Sequence, residues 1–149
     1  MNKLDWIQLC TAFVGSLGFG ILFNIRGRRL LTAAFGGFLA WGLCLALGEW
    51  ITTEPLNYFI VSLLVSVYAQ VIARILKTPA TPISITALIP LIPGSSLYYT
   101  MASAFQGLSD DFVVKAVATV EMAAALALGI IVVSALSRWR VKWKFSGLK

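Results

Sequence analysis

Residues 87–101 read ALIPLIPGSSLYYTM, a stretch apolar enough for a bilayer that nevertheless carries Pro90, Pro93 and Gly94 where a membrane helix would be continuous. Each proline lacks an N–H, and its ring crowds the preceding turn. Gly94 admits backbone angles closed to other residues. Ser95 and Ser96 then suit the cap of a helix restarting toward Tyr98 and Tyr99. One proline would read as a kink that only shapes a bundle; Pro-x-x-Pro-Gly-Ser-Ser reads as a true break. Non-helical backbone at membrane depth is stable only inside protein or beside a water-filled cavity. A restarted helix also offers free N–H groups and a partial positive charge to an anionic group. Broken helices at the midplane recur as substrate sites in secondary transporters.

The whole chain supports a lipid setting for this stretch. Of its 149 residues 59% are hydrophobic and 12% charged, with a mean hydropathy of +0.88. A soluble domain carries about a quarter charged residues, so this much apolar surface calls for lipid as solvent. Spanning helices need about 20 apolar residues, and five segments qualify: 6–24, 31–51, 57–76, 84–105 and 112–136. The expected fold is all-α, a single domain over 1–149 with five transmembrane helices, the fourth broken, and a basic tail at 137–149. The opening residues 1–24 read as the first span rather than a cleaved leader, because the apolar run is long and no small-x-small site follows.

Charge gives the orientation. Arg26, Arg28, Arg29, Arg74, Lys77, Arg138, Arg140, Lys142, Lys144 and Lys149 fall on one side of a five-span chain. Lys3 and Lys115 fall on the other, with Asp5, Glu49, Glu54, Asp110 and Asp111. The positive-inside rule puts the first set in the cytoplasm, hence the N-terminus outside and the C-terminus inside. The net charge of +6 then signals topology and contact with anionic lipid headgroups, with no folded basic surface for nucleic acid. The tail RWRVKWKFSGLK (138–149) suits an interfacial anchor or a plain stop-transfer flank.

Small residues recur every fourth position in the first span (Ala12, Ser16, Gly20, then Asn24) and line one side of the second (Ala33, Gly37, Ala40, Cys44, Gly48). In the fifth span Ala118, Ala125 and Gly129 flank Glu121. Such stripes let membrane helices approach closely. Polar residues inside spans are more informative. Ser62, Ser66, Gln70 and Arg74 follow one another at spacing four in the third span. Glu121 lies about 13 Å below the outer surface at 1.5 Å per residue. A carboxylate at that depth faces a polar cavity or a partner, or else makes a neutral structural hydrogen bond to a neighbouring helix. The candidate substrate-binding residues are therefore Pro93, Gly94, Ser95, Ser96, Glu121, Ser66, Gln70 and Asn24. No metal site and no cofactor is expected. With no histidine and no nucleophile–base pair, neither is an enzyme. Cys10 and Cys44 sit in apolar runs and read as buried packing thiols.

GFGILFNIRGRRL at 18–30 and TPATPISITALIPLIPGSSLYYTMASA at 78–104 resemble the threonine/serine exporter family. The likeness is to the short five-span subunit of its two-gene systems, equivalent to the C-terminal half of single-chain members. It covers nearly the whole chain. Its strongest part is Ile-Pro-x-x-Pro-Gly followed by an aromatic pair, supported by Phe23-Asn24 before a basic loop. The resemblance implies export of small carboxylated metabolites, threonine and serine in some members and succinate in others, from a bacterial-type inner membrane. It also implies a larger partner subunit, and it transfers no residue roles. Protons are a candidate coupling ion. Two five-span units joined head to tail would be inverted relative to each other, a recurrent transporter plan. The competing reading is a non-transporting structural or regulatory membrane subunit.

Overall fold

The computed structural model describes residues 3–146, with side chains up to position 138. Among the described residues there are six α-helices, one 3-10 turn and no strand. They are α1 (Lys3–Leu22), α2 (Arg28–Gly48), α3 (Glu54–Ile75), α4 (Ala80–Leu88), the 3-10 turn Ile89–Leu91, α5 (Gly94–Phe105) and α6 (Ser109–Ser146). Four helices are long and apolar enough to cross a membrane: α1, α2, α3 and the Ser109–Arg138 part of α6. Ala80–Leu91 and Gly94–Phe105 pass the same test together but are bent by 55°, as a broken span or a re-entrant loop. The fold is thus all-helical, with up to five crossings.

Each helix starts a few residues before its apolar run: Lys3 against 6, Arg28 against 31, Glu54 against 57. The extra turn is polar and suited to a helix start. Glu54 with Pro55 opens α3, and Asp110 with Asp111 opens α6, because carboxylates complement the positive helix N-terminus. At its other end α6 continues helical beyond 136 into the basic tail; residues 147–149 lie outside the described residues.

Three helices end the same way. Ile25 N–H reaches back to the Gly20 carbonyl (2.9 Å), Thr78 to Ala73 (2.9 Å) and Leu108 to Ser103 (3.1 Å). The residue before each is left-handed: Asn24 at φ 56°, Lys77 at 48° and Gly107 at 71°. This six-to-one closure satisfies orphan helix carbonyls. Glycine and asparagine enter that region readily, whereas Lys77 does so at a steric cost.

The small-residue stripes mark the close approaches. Ala12, Ser16 and Gly20 are buried, and a Cβ at Gly37 would run into Ser16 Oγ, joining α1 to α2. A Cβ at Gly129 would meet Ser62 Oγ and the Phe59 carbonyl, joining α6 to α3. Polar ties also cross the interfaces: Tyr68 donates to the Thr32 carbonyl (2.8 Å) and Asn57 Nδ2 to the Cys44 carbonyl (3.0 Å). Between these helices sits a core of Ala40, Val61, Val65, Ala87, Leu88, Leu91 and Leu126. Cys10 departs from expectation. Both thiols are free, but Cys10 is exposed and Cys44 half-buried, because α1 packs mainly on α2 and leaves its far side open.

The broken span divides its two halves between different neighbours. α4 packs among α1, α2 and α3, whereas α5 packs chiefly on α6. A polar seam holds α5 there: Thr100 Oγ1 and Thr119 Oγ1 are 3.1 Å apart, and Lys115 Nζ donates to Ser103 Oγ at 2.9 Å. Lys115 also pairs with Asp111 at 3.4 Å.

Candidate functional site

The break is built from proline chemistry. Pro90 occupies the 3-10 turn, which Ile92 N–H closes onto the Ile89 carbonyl (3.1 Å). Ile92 is extended (φ −62°, ψ 124°), as the residue before a proline must be. Pro93 at φ −73°, ψ 60° is the centre of an inverse γ-turn, in which Gly94 N–H donates to the Ile92 carbonyl at 2.6 Å. Leu97 N–H then bonds the Pro93 carbonyl (3.0 Å), and α5 is under way.

Two expectations about the break are corrected here. The residue capping α5 is Pro93 rather than Ser95 or Ser96, and no side-chain cap bond forms; the γ-turn starts the helix too early for the serines to cap it. The Gly94 N–H is not free, because the turn consumes it.

Beside the break, α3, α4 and α6 enclose a groove of about 370 Å³, at the small end of small-molecule sites. Every helix contributes a row of residues three or four apart, hence one face of each. Ser66 and Gln70 come from α3, Thr81, Ser84, Ile85 and Leu88 from α4, and Ala123, Ala127, Ile130 and Ser134 from α6. Ile92 and Pro93 form the wall at the break.

Most of this lining is apolar, with hydroxyl and amide groups and no charged side chain. The polar groups gather at one end. Gln70 lies one turn before Arg74, Thr81 follows Lys77, and Ser134 precedes Arg138, so that end of the groove approaches the cation-rich end of the bundle.

Ser66 is the most telling residue. It is 3% exposed, it lines the groove, and its Oγ has no hydrogen-bond partner among the described residues. A buried hydroxyl left unpaired is costly, and among the described residues Ser66 is the one with such a group that also lines the groove.

The candidates therefore separate. Ser66, Gln70 and Pro93 come together in the groove. Gly94 and Ser95 are exposed beside it, and the half-buried Ser96 uses its carbonyl to accept the Thr100 hydroxyl at 2.7 Å. Asn24 is exposed at the end of α1, where its Oδ1 accepts from Arg26 Nε at 3.0 Å; this is a helix-ending role. Glu121 is exposed, and at about 100° per residue it lies on the face of α6 opposite Ala123, Ala127, Ile130 and Ser134.

Sequence reasoning missed Thr81, Ser84 and Ser134. The first two stand three apart at the start of α4, a spacing that could have marked a polar face; Ser134 and Ser137 repeat that spacing near the end of the apolar run of α6. Among the described residues, no group of three His, Cys, Asp or Glu side chains could hold a metal ion.

The family model described as threonine/serine exporter, ThrE, matches residues 8–136, a stretch that takes in every residue lining the groove. No curated protein and no solved structure matches the chain.

Proposed function

The chain belongs to the threonine/serine exporter family, and we propose that it is a subunit of a secondary exporter carrying small carboxylated metabolites out across a cytoplasmic inner membrane. The family is one of transporters, and the chain's part is transport without an enzymatic step. In this reading it supplies half of the pathway and a larger partner subunit of the same family supplies the other half. The N-terminus lies outside, the C-terminus inside, and the broken pair counts as one span.

The observation that carries the proposal is Ser66, a residue lining a groove beside a broken helix, whose buried hydroxyl has no partner among the described residues. Ser66 and Gln70 would hold the polar part of the substrate, while Pro93 keeps the span open. The groove lining has no charged side chain. A net-neutral hydroxy amino acid such as threonine or serine finds hydroxyl and amide partners there. A dicarboxylate such as succinate would need cations from the partner or from the Arg74 end. A proton is the coupling ion we favour.

The test is export by the chain and its larger subunit reconstituted in liposomes, with Ala127→Phe placed to fill the groove. Loss of transport by an assembled Ala127→Phe pair is the expected result. Normal transport by that pair would make the groove irrelevant and favour a structural or regulatory subunit.

A further inference from the structure

We propose that the Glu121 face of α6 docks a transmembrane helix of the larger exporter subunit, one that presents a hydrogen-bond donor or cation to Glu121 within the membrane. The inference rests on the exporter reading above. Glu121 is exposed on the side of α6 away from the groove, so substrate in the groove does not reach it. Its carboxylate makes no hydrogen bond or ion pair among the described residues. Positions three to four and seven apart share a helix face, and here those positions include Val114, Val117 and Leu128. All three are exposed and apolar. Glu121 thus stands alone on a stripe that would otherwise face lipid, where an ionisable group without a partner is expensive.

No cation among the described side chains is placed to supply the missing partner. Of the cations with described side chains, Lys3, Arg26, Arg28, Arg29, Arg74 and Lys77 lie at helix ends or in the turns between helices, and Arg138 lies about 26 Å farther along α6 at 1.5 Å per residue. Lys115 lies on α6 itself, but it is about 9 Å away along the axis and is held by Ser103 and Asp111. A second copy docking by the same face would bring Glu121 toward Glu121 and add neither a cation nor an amide donor, since Val114, Val117 and Leu128 are apolar. The occupant is therefore a different chain, and its contribution is a donor at this depth, such as arginine, lysine, asparagine or glutamine.

A photo-crosslinking amino acid at Val117 or at Leu128, in membranes holding the full exporter, tests the surface. The expected product joins this chain to an apolar segment of the larger subunit that contains such a donor. Glu121→Gln should keep the two subunits together and Glu121→Lys should separate them. Replacing the partner's donor by glutamate should then restore the Glu121→Lys complex, which also rules out misfolding as the cause. Crosslinks only to lipid or to a second copy would overturn the proposal, as would a Glu121→Lys chain that co-purifies like the native one. Export by the native pair is measured separately: its absence would sink the exporter reading and leave the docking result standing.

Discussion

The hydroxyls of Thr100 and Thr119 lie 3.1 Å apart, both buried where α5 meets α6. Each also reaches a carbonyl of its own helix, Thr100 that of Ser96 and Thr119 that of Lys115, both at 2.7 Å. Two hydroxyl protons thus face three possible bonds, so one threonine must donate across the interface for that bond to exist. This contact and the Lys115–Ser103 bond hold α5, the second half of the bent pair, against α6.

Replacing either threonine by valine should loosen α5. Interhelical hydrogen bonds in membranes average about 0.6 kcal/mol in double-mutant cycles, so the Thr100→Val/Thr119→Val cycle should show coupling of that order. Unfolding in mixed micelles measures it. Additive single losses would mean that the two hydroxyls serve only their own helices.

Ser66→Ala should separate stability from transport. The Ser66 hydroxyl has no partner among the described residues, so its removal should leave expression and detergent stability unchanged or slightly improved. If the hydroxyl bonds substrate, a net hydrogen bond of about 0.5–1.5 kcal/mol is lost, and the substrate concentration for half-maximal export should rise about two- to tenfold. Unchanged export kinetics would remove Ser66 from the pathway.

Pro93 and Gly94 should behave differently. A Cβ at Gly94 meets nothing within 4 Å, so Gly94→Ala should fold and export normally. Pro93→Ala, combined with Pro90→Ala to free the preceding turn, lets the chain continue as helix. Two arms of about 18 Å at 1.5 Å per residue, meeting at a 55° bend, would lengthen end to end by about 4 Å on straightening. Spin labels at Thr81 and Phe105, in a chain lacking Cys10 and Cys44, read this distance directly. An unchanged distance would show that packing, and not the prolines, holds the bend.

Side-specific labelling separates a broken span from a re-entrant loop. If α4 and α5 together cross the membrane, cysteines at Glu54 and Asp110 label from outside, and cysteines at Arg28 and Arg138 only after permeabilisation. If the pair turns back, Asp110 labels with Arg28 and Arg138 falls on the opposite side.

Gly129→Val should disrupt the α3–α6 interface, since overpacking a tight core costs about 1–3 kcal/mol. Adding Ser62→Ala should rescue it only in part. The Ser62 hydroxyl is then gone, but the Phe59 backbone carbonyl still stands 3.0 Å from a Cβ at that position. Full rescue, by thermal stability in detergent, would mean that α3 shifts more easily than its packing suggests.

What was legible in the chain follows from local chemistry. Pro90 and Pro93 cannot donate to a helix ladder wherever they sit, so the break could be placed from the letters alone. Asn24 and Gly107 are residues that tolerate a left-handed backbone, and both end helices. Lys77 does the same with no such mark, because the Thr78–Ala73 bond imposes that geometry. Of the polar stripe in α3, Ser66 and Gln70 do line a groove, while Ser62 turns to its own helix, donating to the Phe59 carbonyl at 2.8 Å.

The amino-acid sequence by itself determined the solvent, the all-helical class, the place of the break and the family, because hydropathy, missing N–H groups and local motifs are carried by consecutive residues. Only the tertiary structure decided that Ser66 and Gln70 share a groove with Ser84 and Ser134, that Glu121 faces away from it, and that α5 leaves the core for α6. A side chain's depth can be counted along a helix. The direction it faces depends on how that helix is turned against its neighbours, and that rotation is set by contacts such as Gly129 with Ser62 and Gly37 with Ser16, between residues far apart in the chain.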